Sequence, residues 1–243
     1  MVSSSARFPQ RYARIGGIVY LVIIVAGLFG EMFARNAIIV SGNAAATANH
    51  LASSPLLWRI GVAGDLIMHV CDVILMMILY VLLRPVNKHL ALLAVLFNLI
   101  QTGVLVANKL NLLYPLFLLS NAEYLKAFDP HQLEAWSYLS IKTHAYGFGV
   151  GLIYFGFACL VYGFLIYKSG YLPKAIGILM VIAGFCYILN SFALILDPEL
   201  AGKLFPLILV PSFIGELSFC LWLLFKGVNL EKWSLVNGQK QKQ

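Results

Sequence analysis

Residues 60–83 read IGVAGDLIMHVCDVILMMILYVLL, an apolar run longer than the roughly 20 residues that carry a helix across about 30 Å of hydrocarbon. Three ionisable residues interrupt it. Asp65, His69 and Asp72 stand at i, i+4 and i+7, so at 3.6 residues per turn they share an arc of about 60° on one helix face. The sequence on either side repeats the pattern. Apolar runs over Ile15–Phe33, His89–Leu113, Ser140–Tyr167, Ala175–Leu196 and Pro206–Phe225 complete a set of six spans with Ile60–Leu83. Of the 243 residues 61% are hydrophobic and 11% charged, and the mean hydropathy is +0.86. The fold expected is an all-α, polytopic membrane bundle whose principal partner is the lipid bilayer.

Charge sets the expected topology. With both termini in the cytoplasm, Arg35, Arg59, Lys126, Lys142 and Lys203 fall outside, Lys109 lies within the third span, and the other eleven basic residues, from Arg7 to Lys242, fall inside. This divides the chain into a cytoplasmic segment 1–14, a single membrane domain 15–229 and a polar cytoplasmic tail 230–243, unstructured from Asn237. Arg7, Arg11 and Arg14 before the first span resemble a signal peptide, but no small-residue cleavage site follows, so the span reads as a retained anchor. The net charge of +7 is spread around the spans rather than gathered into an aromatic-rich patch, which argues against nucleic acid. Cys71, Cys159, Cys186 and Cys220 all lie in apolar segments, outside any Cys-x-x-Cys pair, which argues against disulfides and zinc knuckles.

Two outer connections are long. Asn36–Trp58 reads as an interfacial helix, a re-entrant cap or an ordinary linker, and in Ser120–Lys142 the pair Asp129-Pro130 marks a helix start. Arg14-Ile15-Gly16 and Gly64-Asp65-Leu66 in the first two spans resemble Lys174-Ala175-Ile176-Gly177 and Gly215-Glu216-Leu217 in the last two. A duplicated hairpin would give such a match, and so would low-complexity apolar sequence; the spacing from the acid to the closing Asn differs between the two copies. Gly147-x-x-x-Gly151 reads as close helix packing.

Ionisable groups at bilayer depth cost roughly 2.5–3.5 kcal/mol each even on the lenient insertion scale, so each needs a partner, a proton or a wet cavity. Asn98, Gln101, Asn108 and Lys109 make a polar face on the third span that is expected to meet the Asp65 stripe. At about 1.5 Å per residue, Glu31, Asp65 and Lys109 fall near the outer boundary, His69, Asp72 and Glu216 nearer the midplane, and His144 in the outer half. Lys109 is expected to pair with Asp65 or Glu31. Against Glu31, Asp65, Asp72 and Glu216 it is the only intramembrane cation in this reading, which leaves a deficit of three charges unless a proton or cation binds. The candidate ligand- or proton-binding set is therefore Glu31, Asp65, His69, Asp72, Lys109, His144 and Glu216, lining an outward-facing cavity. The bland reading stands beside it: Asp65 and Lys109 as a structural ion pair, the asparagines as hydrogen-bonding glue, His69 as a satisfied buried histidine.

The ordered set Gly64-Asp65-Leu66-Ile67-Met68, Cys71-Asp72-Val73, Tyr80-Val81-Leu82-Leu83-Arg84-Pro85-Val86-Asn87, His144-Ala145-Tyr146-Gly147, Ser169-Gly170-Tyr171-Leu172-Pro173 and Glu216-Leu217 resembles the bacterial domain-of-unknown-function family 4386 over roughly Arg14 to Asn229. The resemblance implies a multi-pass inner-membrane protein and brings no reaction, ligand or cofactor with it. Asp65, Asp72, His144 and Glu216 match the family pattern; His69 falls outside it.

Four functions compete. Proton- or cation-coupled transport or ligand binding follows from the charge deficit. A membrane enzyme would place a metal on Asp65, His69, Asp72, His144 or Glu216 to activate water against a lipid-like substrate. A haem or quinone protein would use His69 and His144, and a non-catalytic sensor or assembly protein would use neither. No Gly-x-Ser-x-Gly elbow, His-Glu-x-x-His pair, P-loop or dinucleotide fingerprint occurs in the sequence. Cofactor, substrate and oligomeric state are not legible. The topology has a direct test: a periplasmic phosphatase fused after Gln243 is expected to be inactive, and clear activity there would sink the even-span arrangement.

Overall fold

The computed structural model describes residues 8–240. Arg7 and Lys242, counted on the inner side, and the termini Met1 and Gln243 lie outside them. Among the described residues the chain is helical without strands, and six helices are long and apolar enough to cross a membrane.

The first, α1 (Phe8–Leu28), runs on into a π-helical segment, Phe29–Arg35, and a closing turn at Asn36–Ile38. Then come α2 (Ala44–Ser53), α3 (Pro55–Leu83), α4 (Lys88–Asn108) and α5 (Leu110–Leu118). A 3₁₀ turn at Glu123–Ala127 leads to α6 (Pro130–Ser169), followed by α7 (Lys174–Leu196), α8 (Pro198–Leu204), α9 (Val210–Phe225) and α10 (Leu230–Lys240).

The ends of these helices are written in local chemistry. Asn43 and Asn87 accept hydrogen bonds from the Ala46 and Leu90 amides, and Asp129, just before Pro130, accepts from the His131 amide. That start lies well before the expected onset at Ser140, so the connection from Ser120 is largely helix. Asn36–Trp58 holds α2 rather than a bare linker. The tail expected to be unstructured from Asn237 is helical to Lys240, in a helix capped where Asn229 Oδ1 accepts from the Lys232 amide.

The chain divides into two compact units. The first gathers the described parts of Met1–Val22 and Gly149–Gln243 with Cys71–Thr102. Within it α6 and α7 cross antiparallel through two glycine pairs. A methyl on Gly156 would stand 2.8 Å from Gly184 O, and one on Gly163 would stand 2.6 Å from Gly177 O. Glycines seven apart on both helices bring the backbones together, the small-residue packing that works where hydrocarbon provides no hydrophobic drive between helices.

The same unit holds the Ser169–Pro173 turn. Gly170 adopts φ +71° there, Ser169 Oγ accepts from the Leu172 amide, and the Tyr171 hydroxyl donates to Leu82 O at 2.6 Å. Burial pushes the Tyr171 phenol up from its ordinary range.

The second unit gathers Ile23–Val70 and Gly103–Phe148. Its apolar centre is Ile38, Leu51, Trp58, Val62, Leu112 and Ile141. Pro115 lies inside α5 and has no N–H to offer the Asn111 carbonyl one turn back. The Ser140 hydroxyl of α6 takes that carbonyl at 2.8 Å, and the Trp58 indole takes Leu112 O at 2.6 Å. Helix irregularity at membrane depth is thus satisfied by neighbouring side chains. Around both units Ile18, Val25, Ile67, Leu96, Phe185 and Ile214 expose large apolar side chains, a surface suited to lipid.

The glycine crossing is testable. Gly163→Val is expected to overpack the contact with Gly177 and lower stability by about 1–3 kcal/mol or more. Gly103→Ala, where a methyl meets nothing within 4 Å, is expected to be neutral or slightly stabilising. Thermal unfolding of the two variants in the same detergent checks the contrast.

Candidate functional site

Lys109 stands at the break between α4 and α5, and its ammonium donates to Asp65 Oδ2 of α3 at 2.8 Å. The expected pairing is therefore present, and the polar faces of α3 and α4 meet in it. The same oxygen accepts a second cation, Arg35 Nη1, at 2.7 Å. Arg35 in turn holds Glu31 Oε2 through Nε at 2.8 Å, an i, i+4 pair within the π-helical segment. On its other side Lys109 Nζ lies 3.4 Å from His144 Nε2. Asp65 and Lys109 are only 1% and 3% exposed. All five residues belong to the second unit.

Arg35 is the residue that sequence reasoning left out of the charge network. Counted among the outer basic residues, it is buried and paired, because the π-helical winding holds it over Asp65 rather than releasing it into the loop. The signal was the spacing Glu31-x-x-x-Arg35 just past an apolar run. With Arg35 included, the formal charges of Glu31, Arg35, Asp65 and Lys109 cancel, and the intramembrane deficit falls from three charges to two.

The asparagines of this region behave as glue. Asn108 Nδ2 donates to His144 O at 2.8 Å and Asn111 Nδ2 donates to Asn108 Oδ1 at 2.9 Å. Gly147 gives Asn108 room to approach, since a methyl there would run into its amide. His69 is buried in the same unit, and among the described residues neither of its ring nitrogens has a hydrogen-bond partner.

The remaining acids of the expected set lie in the first unit. Asp72 Oδ2 accepts from the Thr102 hydroxyl of α4 at 2.9 Å. Glu216 of α9 accepts from the Tyr20 hydroxyl of α1 at 3.1 Å and, through its other oxygen, from the Tyr187 hydroxyl of α7. Ser212, one turn before Glu216, donates to Ala183 O at 3.2 Å. Among the described residues no Lys, Arg or His is within ion-pair distance of either carboxylate. Thr102, Tyr20 and Tyr187 were not anticipated; isolated hydroxyls in apolar helices carry no periodic signal. Among the described residues no group of three or more His, Cys, Asp or Glu side chains is gathered so as to hold a metal ion.

A family model described as Domain of unknown function (DUF4386) matches residues 15–227. No curated protein and no solved structure matches the chain.

The charge network has a signature in stability. Asp65→Asn leaves two buried cations facing an amide and is expected to cost about 3–5 kcal/mol. Adding Lys109→Gln is expected to recover part of that loss, because the second change removes one of the stranded charges. A double-mutant cycle in denaturant unfolding measures the recovery, and strict additivity would show that the two residues are not coupled.

Proposed function

We propose that this chain, which belongs to the DUF4386 family, is a membrane protein that binds a proton or a small cation at Asp72 and Glu216, in transport or ligand binding coupled to that ion. In this reading the bundle sits in a bacterial inner membrane with both termini cytoplasmic, as the distribution of Lys and Arg suggests.

One observation carries the proposal. Among the described residues, two carboxylates on membrane-spanning helices meet only neutral hydroxyl donors, Thr102 for Asp72 and Tyr20 and Tyr187 for Glu216. Hydroxyls satisfy lone pairs and offset part of the cost but bring no positive charge, so a carboxylate among them keeps a charge penalty until a proton or cation joins it. Asp65 is the contrast, since its charge is met by Arg35 and Lys109 and needs nothing from outside.

The test needs no knowledge of a transported solute. A ligand that binds only the folded form stabilises it by mass action, by about 2.7 kcal/mol at a hundred times its dissociation constant. Thermal unfolding of the purified chain is expected to shift with pH or with lithium, sodium or potassium concentration. In the Asp72→Asn, Glu216→Gln double variant that response is expected to vanish while the fold is kept. A double variant that folds and keeps the wild-type response would overturn the proposal and leave the two acids structural.

A further inference from the structure

The guanidinium of Arg35 is only half used. Its Nη1 is committed to Asp65 and its Nε to Glu31. Nε and Nη2 share one edge of the planar group, the edge that takes two oxygens of a single oxyanion in a bidentate contact. Glu31 occupies it through one oxygen, and among the described residues Nη2 donates no hydrogen bond. Lys109 also has capacity left. Of its three ammonium protons one goes to Asp65 at 2.8 Å and one faces His144 at a long 3.4 Å.

Charge points the same way. Arg35 and Lys109 meet on one oxygen of Asp65, so they are neighbours, and one aspartate formally neutralises only one of them. The second cation depends on Glu31, whose side chain is 56% exposed whereas that of Arg35 is 11% exposed. The buried part of the network thus carries an excess positive charge, covered by a loosely held carboxylate on its exposed side. The helices here are also irregular: Arg35 ends a π-helical segment and Lys109 stands at a helix break. Such interruptions recur where membrane helices hold ligands.

We propose that Arg35, with the charge of Lys109 behind it, forms an oxyanion site with Glu31 as its internal, displaceable occupant, and that the ligand carries a phosphate, free or as a phospholipid headgroup. A phosphate has enough oxygens to fill both donors of the Nε–Nη2 edge, of which the carboxylate of Glu31 takes one, while Lys109, which meets Asp65 on the Nη1 side of Arg35, adds its positive charge. The residues involved lie in the unit that holds neither Asp72 nor Glu216, so this site stands or falls apart from the proton or cation reading.

The sign of one substitution decides it. In a phosphate-free glucoside detergent, the full chain is titrated with inorganic phosphate and, separately, with a short-chain phosphatidylglycerol, against chloride at equal ionic strength, and thermal unfolding is followed. At least one phosphate probe is expected to stabilise the wild type saturably, and Glu31→Gln, by removing the internal competitor, is expected to shift that response to several-fold lower concentration. Arg35→Lys, which lacks the bidentate edge, is expected to lose it. Stabilisation by inorganic phosphate identifies a free anion as sufficient; stabilisation by the lipid alone identifies a headgroup. The proposal is overturned if Glu31→Gln weakens the response, if chloride matches the phosphate probes, or if neither probe stabilises wild type or Glu31→Gln. The Glu31→Gln arm discriminates even where Arg35→Lys fails to fold.

Discussion

Asp65 holds two cations on a single oxygen, and none of the three charged groups is tolerable alone in hydrocarbon. Bringing them together constrains the helices that carry them. Arg35 reaches the carboxylate from the end of a π-helical segment and Lys109 from a break between two helices. Such distortions weaken the regular ladder of backbone hydrogen bonds, and in the same unit Pro115 leaves the Asn111 carbonyl without its usual donor. With no water to satisfy such groups, other helices must do so: Ser140 takes Asn111 O and the Trp58 indole takes Leu112 O. The polar side chains here thus answer a demand that the charge centre and its irregular helices create.

Much of this was legible in the sequence, for identifiable reasons. The six long apolar helices follow from hydropathy, which a membrane makes decisive because only closed hydrogen-bonding structures can span it. The meeting of Asp65 with Lys109 follows from two polar faces on consecutive helices. Arg35 did not follow, because counting Lys and Arg by side treats a basic residue just past a span as a loop residue. A π-helical turn that folds it back leaves the 3.6-residue apolar pattern almost unchanged. The glycine crossing of α6 and α7 went unread for a different reason: its four residues are spread over two helices, and only their antiparallel pairing gives the sevenfold spacing a meaning.

The functional set was legible by residue type and much less by partner. The stripe Asp65, His69, Asp72 suggests one kind of environment, yet the three residues meet three. Asp65 is doubly ion-paired, Asp72 meets a threonine hydroxyl, and His69 has no hydrogen-bond partner among the described residues. Helical periodicity says which way a side chain points and nothing about what waits there. That depends on neighbours far away in sequence, such as Thr102 for Asp72 or Tyr20 and Tyr187 for Glu216.

These partners separate two ways of keeping a carboxylate inside a membrane. Where two fixed cations converge, as at Asp65, the charges are met inside the fold, and the contacts tie together the helices that carry them. Where, among the described residues, only hydroxyls converge, as at Glu216, each can rotate between donating and accepting, and the protonated and ionised acids can both be accommodated. The first arrangement suits architecture, because each buried charge already has a partner in the fold. The second suits the exchangeable proton or cation proposed above, because the hydroxyls adapt to either state while the proton or cation brings the positive charge that they lack.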